Sequence, residues 1–185
     1  MKRNILVIFS LLFICYFAPG LNNGNAPDLI LWSPGYKLQW KDFKGKPDNN
    51  AKWKATTICE IKAEFPFSET TNKYFVIVKC YFIKSKSWVK KDPTDYLLNH
   101  EQIHFDMGEV FCRKMRKEFS EKTFSNNVFA KESQKIYEKT MKDYAKEQEL
   151  YDKETNHSLI KEKQEEWNQK IAAELEALEK YKLNS

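Results

Sequence analysis

The pentapeptide His100-Glu101-Gln102-Ile103-His104 constrains this chain more than any other feature, because its chemistry is intelligible only on a helix. Residues four apart on an α-helix are separated by about 40° of rotation and one turn of rise, so both imidazoles project from one face. Two ring nitrogens can then reach a single zinc ion at about 2.0–2.1 Å. Glu101 lies beside that face, where its carboxylate can take a proton from water activated by the metal. Leu97, Leu98, Phe105 and Phe111 flank the motif and imply that this helix is buried. Two packed histidines without a metal are the plainer alternative.

A catalytic zinc takes three protein ligands and leaves a fourth position open. One other histidine exists, His157. His157, Ile160, Gln164, Trp167, Ile171, Leu175 and Leu178 recur at spacings of three and four. That pattern places His157 at the start of the apolar stripe of a last helix, facing inward, as the third ligand or as a structural histidine at a helix end. Asp106 and Glu109 stand roughly 200° and 140° around the helix from His104 and face away from such a metal. Asp152 is open to two roles. It can serve the metal, as a ligand or by orienting an imidazole, or it can cap the last helix, the favoured reading. Tyr151 can donate a hydrogen bond to a developing oxyanion or pack as an aromatic at the helix entrance.

Upstream of the motif the pattern is that of strands. Leu29–Trp32 and Tyr36–Trp40 read as short strands split by a Ser33-Pro34-Gly35 turn. Thr56–Phe65 and Tyr74–Ile83 read as a hairpin turning near Ser68–Asn72. From Asp92 the character becomes helical, with Asp92 as N-cap and Pro93 at the first helical position. The first helix is expected to reach Phe119, a second to cover Val128–Glu149, and a third to run from Asp152–Thr155 to Lys180. A small N-terminal antiparallel sheet followed by three long helices is an α+β arrangement.

Lys2 and Arg3, the apolar run Ile5–Phe17 and the small residues Ala18-Pro19-Gly20 have the form of a secretory signal. The run is about 13 residues, against roughly 20 for a spanning helix. Residues 1–20 are therefore expected to be removed, leaving 21–185 as one secreted or periplasmic domain with no stable membrane insertion. Taking Lys2 and Arg3 from the 31 basic residues leaves 29 against 26 acidic ones, an excess too small to argue for a nucleic-acid partner. The Lys and Glu of the second half are interleaved as on solvated helix faces. Cys59 and Cys80 lie nearly symmetrically about the hairpin turn and could face each other, as a disulfide in an oxidising compartment or as buried thiols.

Four segments together resemble a family of bacterial secreted proteins of unknown function described as zinc-dependent proteases. They are Leu38–Pro47 (LQWKDFKGKP), Ser87-Trp88-Val89, Leu97–Asp106 (LLNHEQIHFD) and Tyr151–His157 (YDKETNH), with Gln164 and Trp167 beyond. The resemblance implies a zincin-like domain in which His100, Glu101 and His104 hold and serve Zn2+, with His157 as the natural third ligand. It also leads one to expect a Gly-type residue where Ser158 stands. The function implied is peptide or protein hydrolysis, and the alternative is a non-catalytic envelope protein with a structural metal site.

Overall fold

A computed structural model describes residues 28–183. The signal-like segment 1–20 lies outside the described residues. Among the described residues seven short strands precede three α-helices, in the order expected of the α+β class. Among the described residues, no helix is long and apolar enough to cross a membrane.

The sheet is antiparallel in the order β1-β6-β3, where β1 is Leu29–Leu31, β3 is Cys59–Glu64 and β6 is Ile77–Ile83. Side chains alternate along β6, so Val78, Cys80 and Phe82 are fully buried on one face while Lys79 and Tyr81 are not. The expected hairpin is present, and its tip is a second ladder of β4 (Phe67–Ser68) and β5 (Lys73–Tyr74), turning through Asn72 at φ 53°. A third ladder joins β2 (Ala55–Thr56) to β7 (Trp88–Val89). The strand expected at Tyr36–Trp40 is absent. Leu38 donates its amide to the Gln102 side chain rather than to a neighbouring strand, and Trp40–Asp42 forms a 3-10 turn. The register also separates the cysteines. Cys59 stands opposite Phe82 and Cys80 opposite Ile61, so the two are diagonal rather than paired, and Cys59, Cys80 and Cys112 are all free thiols.

Helix α1 (Asp95–Glu121) crosses the buried face of this sheet and packs on its other side against α2 (Asn126–Thr155) and α3 (Lys161–Ala177). Its start is two residues later than expected, because Thr94 rather than Asp92 accepts the Leu97 amide and Asp92 is left-handed at φ 57°. Gly108 marks the closest approach of helix to sheet. A Cβ there would lie 2.4 Å from the Cys80 sulfur, so the helix tolerates a residue that costs about 1 kcal/mol in its interior.

The largest departure from expectation is at the second helix boundary. Helix α2 continues without a break through Asp152 and ends at Thr155, six residues beyond the expected Glu149. Asn156, His157 and Ser158 then follow with φ of 47°, 51° and 72°. Non-glycine residues rarely take this conformation, and Ser158 is the position where the resemblance leads one to expect Gly. Four backbone bonds stabilise the reversal: the amides of Asn156, His157, Leu159 and Ile160 donate to the carbonyls of Lys153, Asp152, Asn156 and Thr155. His157 is therefore on the connection between helices rather than on the last one. The inward stripe beyond it is present from Gln164 onward, with Gln164, Trp167, Ile171 and Leu178 buried and Leu175 partly so, whereas Ile160, expected inward, is exposed.

Candidate metal centre

Helix α1 presents His100, Glu101 and His104 at the level where α2 ends, and all three are buried there. The third group brought to them is Asp152, one turn from the end of α2. Its Oδ1 lies 3.2 Å from His100 Nε2 and 3.0 Å from His104 Nε2, and the two Nε2 atoms are 3.3 Å apart. Among the described residues, His100, His104 and Asp152 form the group whose ligand atoms all lie within 4.8 Å of one another. His157 sits at its margin, half-exposed, with Nδ1 3.5 Å from Asp152 Oδ1 and its ring stacked on Trp53 at 4.9 Å.

The outer side of each imidazole is occupied by a glutamine. His100 Nδ1 meets Gln164 Oε1 at 2.9 Å, and His104 Nδ1 makes a short contact with Gln148 Oε1. Both amides are oriented by a further bond, Gln148 Nε2 donating to the Tyr144 hydroxyl and Gln164 Nε2 to Asn168 Oδ1. The glutamine oxygens can only accept, so the network assigns the proton of each neutral ring to Nδ1 and a lone pair to each Nε2. Two lone pairs and a carboxylate oxygen then face one another. Such a cluster is satisfied either by extra protons or by a cation. Three donors on a tetrahedral zinc with bonds of about 2.0–2.1 Å lie about 3.3 Å apart, close to the separations found here. The residues therefore fit a metal ion.

The electrostatics agree. Burial works against a charged His104, but the hydrogen bond and charge of Asp152, with help from Glu101 and Gln148, raise its pKa above the ordinary imidazole value. Burial would raise the Asp152 carboxyl, yet His100 and His104 overcome it and hold the pKa well below the carboxylate range. The cluster favours positive charge beside Asp152.

A cavity of about 240 Å³ opens against this group, walled by β2, by Trp53, Leu97 and Gln148, and by Glu101 and the three candidate ligands with His157. Glu101 is 2% exposed and its Oε2 has no hydrogen-bond partner among the described residues. A buried carboxylate oxygen left unpaired is costly, and here it stands beside the two imidazoles.

Tyr151 is placed differently from the expected oxyanion donor. It belongs to the last turn of α2, is wholly buried, and stacks on His100 at 4.5 Å while its edge meets His104. Its hydroxyl bonds to the His100 carbonyl and to Gln164 and does not line the cavity. Asp106 accepts from Trp32 and Gln102, and Glu109 pairs with Arg113 and Arg116, both away from the centre as expected. Gln148 went unnoticed in the sequence. Its signal was present, because Gln148, Tyr151 and Asp152 are spaced i, i+3, i+4, but it becomes readable only once α2 is carried past residue 149.

Residues 85–158 match a family described as a bacterial protein of unknown function (DUF922). The matched segment holds α1, α2 and the left-handed connection, and so contains every candidate ligand and Glu101. No curated protein and no solved structure matches the chain.

Proposed function

We propose that this protein is a zinc-dependent hydrolase of peptide bonds. The observation that carries the reading is the unpaired Glu101 carboxylate oxygen, buried in the cavity wall beside the His100–His104–Asp152 group. His100 and His104 through Nε2, and Asp152 through Oδ1, would hold the ion, with His157 at their margin. A bound zinc ion supplies Lewis acidity toward water and toward a carbonyl oxygen. Glu101 accepts the proton of the attacking water and returns it to the departing amine. Gln148 and Gln164 hold the imidazoles in the ligating tautomer, and Tyr151 fixes the His100 ring from behind. The signal-like segment 1–20 supports action outside the cytoplasm, on peptide or protein substrates, without lasting membrane insertion. The test is hydrolysis by the zinc-loaded full chain beside its Glu101→Gln variant. The variant should keep stoichiometric zinc and lose cleavage, and equal cleavage by both proteins would sink the proposal.

A second reading has one observation in its favour. His157 Nδ1 lies 3.5 Å from Asp152 Oδ1, beside the three-residue group though outside it, and if its ring turned inward the site would be closed and four-coordinate, as structural sites are. The protein would then be a non-catalytic envelope module, and removing the metal should unfold it while His157→Ala weakens zinc binding as strongly as His104→Ala does.

A further inference from the structure

A second cavity, of about 350 Å³, adjoins the one at the candidate metal centre. The two share Trp53, Lys54, Leu97 and His157, and the stacked rings of Trp53 and His157 form the partition between them. The far wall is Leu159 and the left-handed Asn156 and Ser158, and Tyr96 lines the inner side. This volume is at the lower end of ligand pockets, about 300–1,000 Å³, so it suits one large side chain rather than a whole ligand.

Three features point to an occupant. Trp53 and Leu159, which both line this pocket, expose 39% and 73% of their surfaces, apolar exposure of the kind that marks recognition surfaces. The lining combines four large aromatic or apolar side chains, Trp53, Tyr96, Leu97 and Leu159, with the charged Lys54 and Asp92, the mixture typical of ligand pockets. And the pocket shares the Trp53–His157 wall with the cleft in which the reacting bond would lie. We infer that it is a specificity subsite taking an aromatic side chain of the peptide substrate, next to the scissile bond, with Trp53 and Leu159 as the residues that read it. This rests on the peptidase reading for what the side chain belongs to. Its geometry does not depend on cleavage.

Two measurements separate the proposals. N-acetyl-phenylalaninamide and N-acetyl-alaninamide are titrated into the zinc-loaded Glu101→Gln protein by calorimetry. The phenylalanine probe should bind at least about tenfold more tightly. That preference should vanish in Leu159→Asp and in Trp53→Ala and persist in Trp53→Phe, with zinc stoichiometry and circular dichroism unchanged in all. In parallel, the wild-type protein is given a randomised decapeptide mixture and its products are read by mass spectrometry. Aromatic residues should be enriched several-fold at one position beside the cut. Cleavage with no such enrichment, or equal binding of the two probes, overturns the subsite while leaving the hydrolase reading intact. Selective binding of the phenylalanine probe without any cleavage supports the subsite and overturns the hydrolase.

Discussion

Helix α1 carries two buried polar clusters two turns apart, and they are built on opposite plans. Toward its C-terminus, Glu109 is met by Arg113 Nε at 3.0 Å and by Arg116 Nη1 at 3.1 Å. Arg113 continues to the Leu175 carbonyl and Glu179, and Arg116 to the carbonyls of Val78 and Tyr181. This cluster fastens the C-terminal turn and β6 to α1 with opposite charges against one another. Toward the N-terminus, two imidazole nitrogens and the Asp152 carboxylate converge at a cavity that Glu101, with one unpaired carboxylate oxygen, also lines. A buried network that closes on itself serves stability, whereas one that leaves electron pairs unmatched reserves them for something the chain lacks.

The contrast is tested most severely by exchanging one carboxylate in each cluster. Glu101→Gln should reduce hydrolysis by about 10²–10⁴-fold, the usual contribution of a general acid–base group, with little change in the denaturation midpoint. Glu109→Gln should do the reverse. It leaves two buried guanidinium groups facing a neutral amide, and breaking a buried ion pair costs about 3–5 kcal/mol, readable in a urea titration. If Glu101→Gln unfolded the protein and Glu109→Gln abolished cleavage, the roles assigned to the two clusters would have to be exchanged.

The two clusters were also unequally legible. His100, Glu101 and His104 form a local motif, and helical geometry alone brings them together. The strand pairing of β3 with β6 was readable for a similar reason, since alternation and a turn signal survive in a short window. Asp152 is different. It lies 48 residues from His104, and its role depends on where α2 stops. The stop is made by Asn156, His157 and Ser158 in left-handed conformations, without the glycine or proline that usually announces one. Reading a helix start at Asp152 turned a candidate ligand into an N-cap and carried His157 onto the following helix. The Arg113 and Arg116 contacts were hidden likewise, because most of their acceptors are backbone carbonyls brought near by tertiary packing.

A smaller effect probes how the open cluster is aimed. Gln148 lines the cleft, and its amide oxygen orients His104 through Nδ1. Gln148→Ala should weaken zinc binding by about 10–100-fold, the usual cost of removing such a partner, and Gln148→Glu should restore most of it, since a carboxylate also accepts from Nδ1. Competition with a chromogenic chelator measures both. The same pair of substitutions at Gln134, which bonds to Glu138 elsewhere on α2, should leave zinc affinity unchanged.

The mildest test uses pH. In metal-free protein the His104 pKa is raised above its ordinary value of 6.5, so the stability it adds is fully present below that pH and is lost as pH rises through the raised value. The Asp152 pKa is depressed below 3.8, so its contribution is present above that pH and is lost in acid. The stripped protein should therefore gain most from this cluster between about pH 4 and 6.5. Zinc reverses the preference above that window, because ligation needs unprotonated imidazoles and strengthens as pH rises. The gap in melting temperature between loaded and stripped protein should widen from pH 5.5 to pH 8. The closed cluster supplies the control, since guanidinium groups keep their charge throughout this range, and the destabilisation caused by Glu109→Gln should be nearly flat across it. A loaded-to-stripped gap that narrowed toward pH 8 would mean that the histidines and Asp152 are held together by protons rather than by a metal.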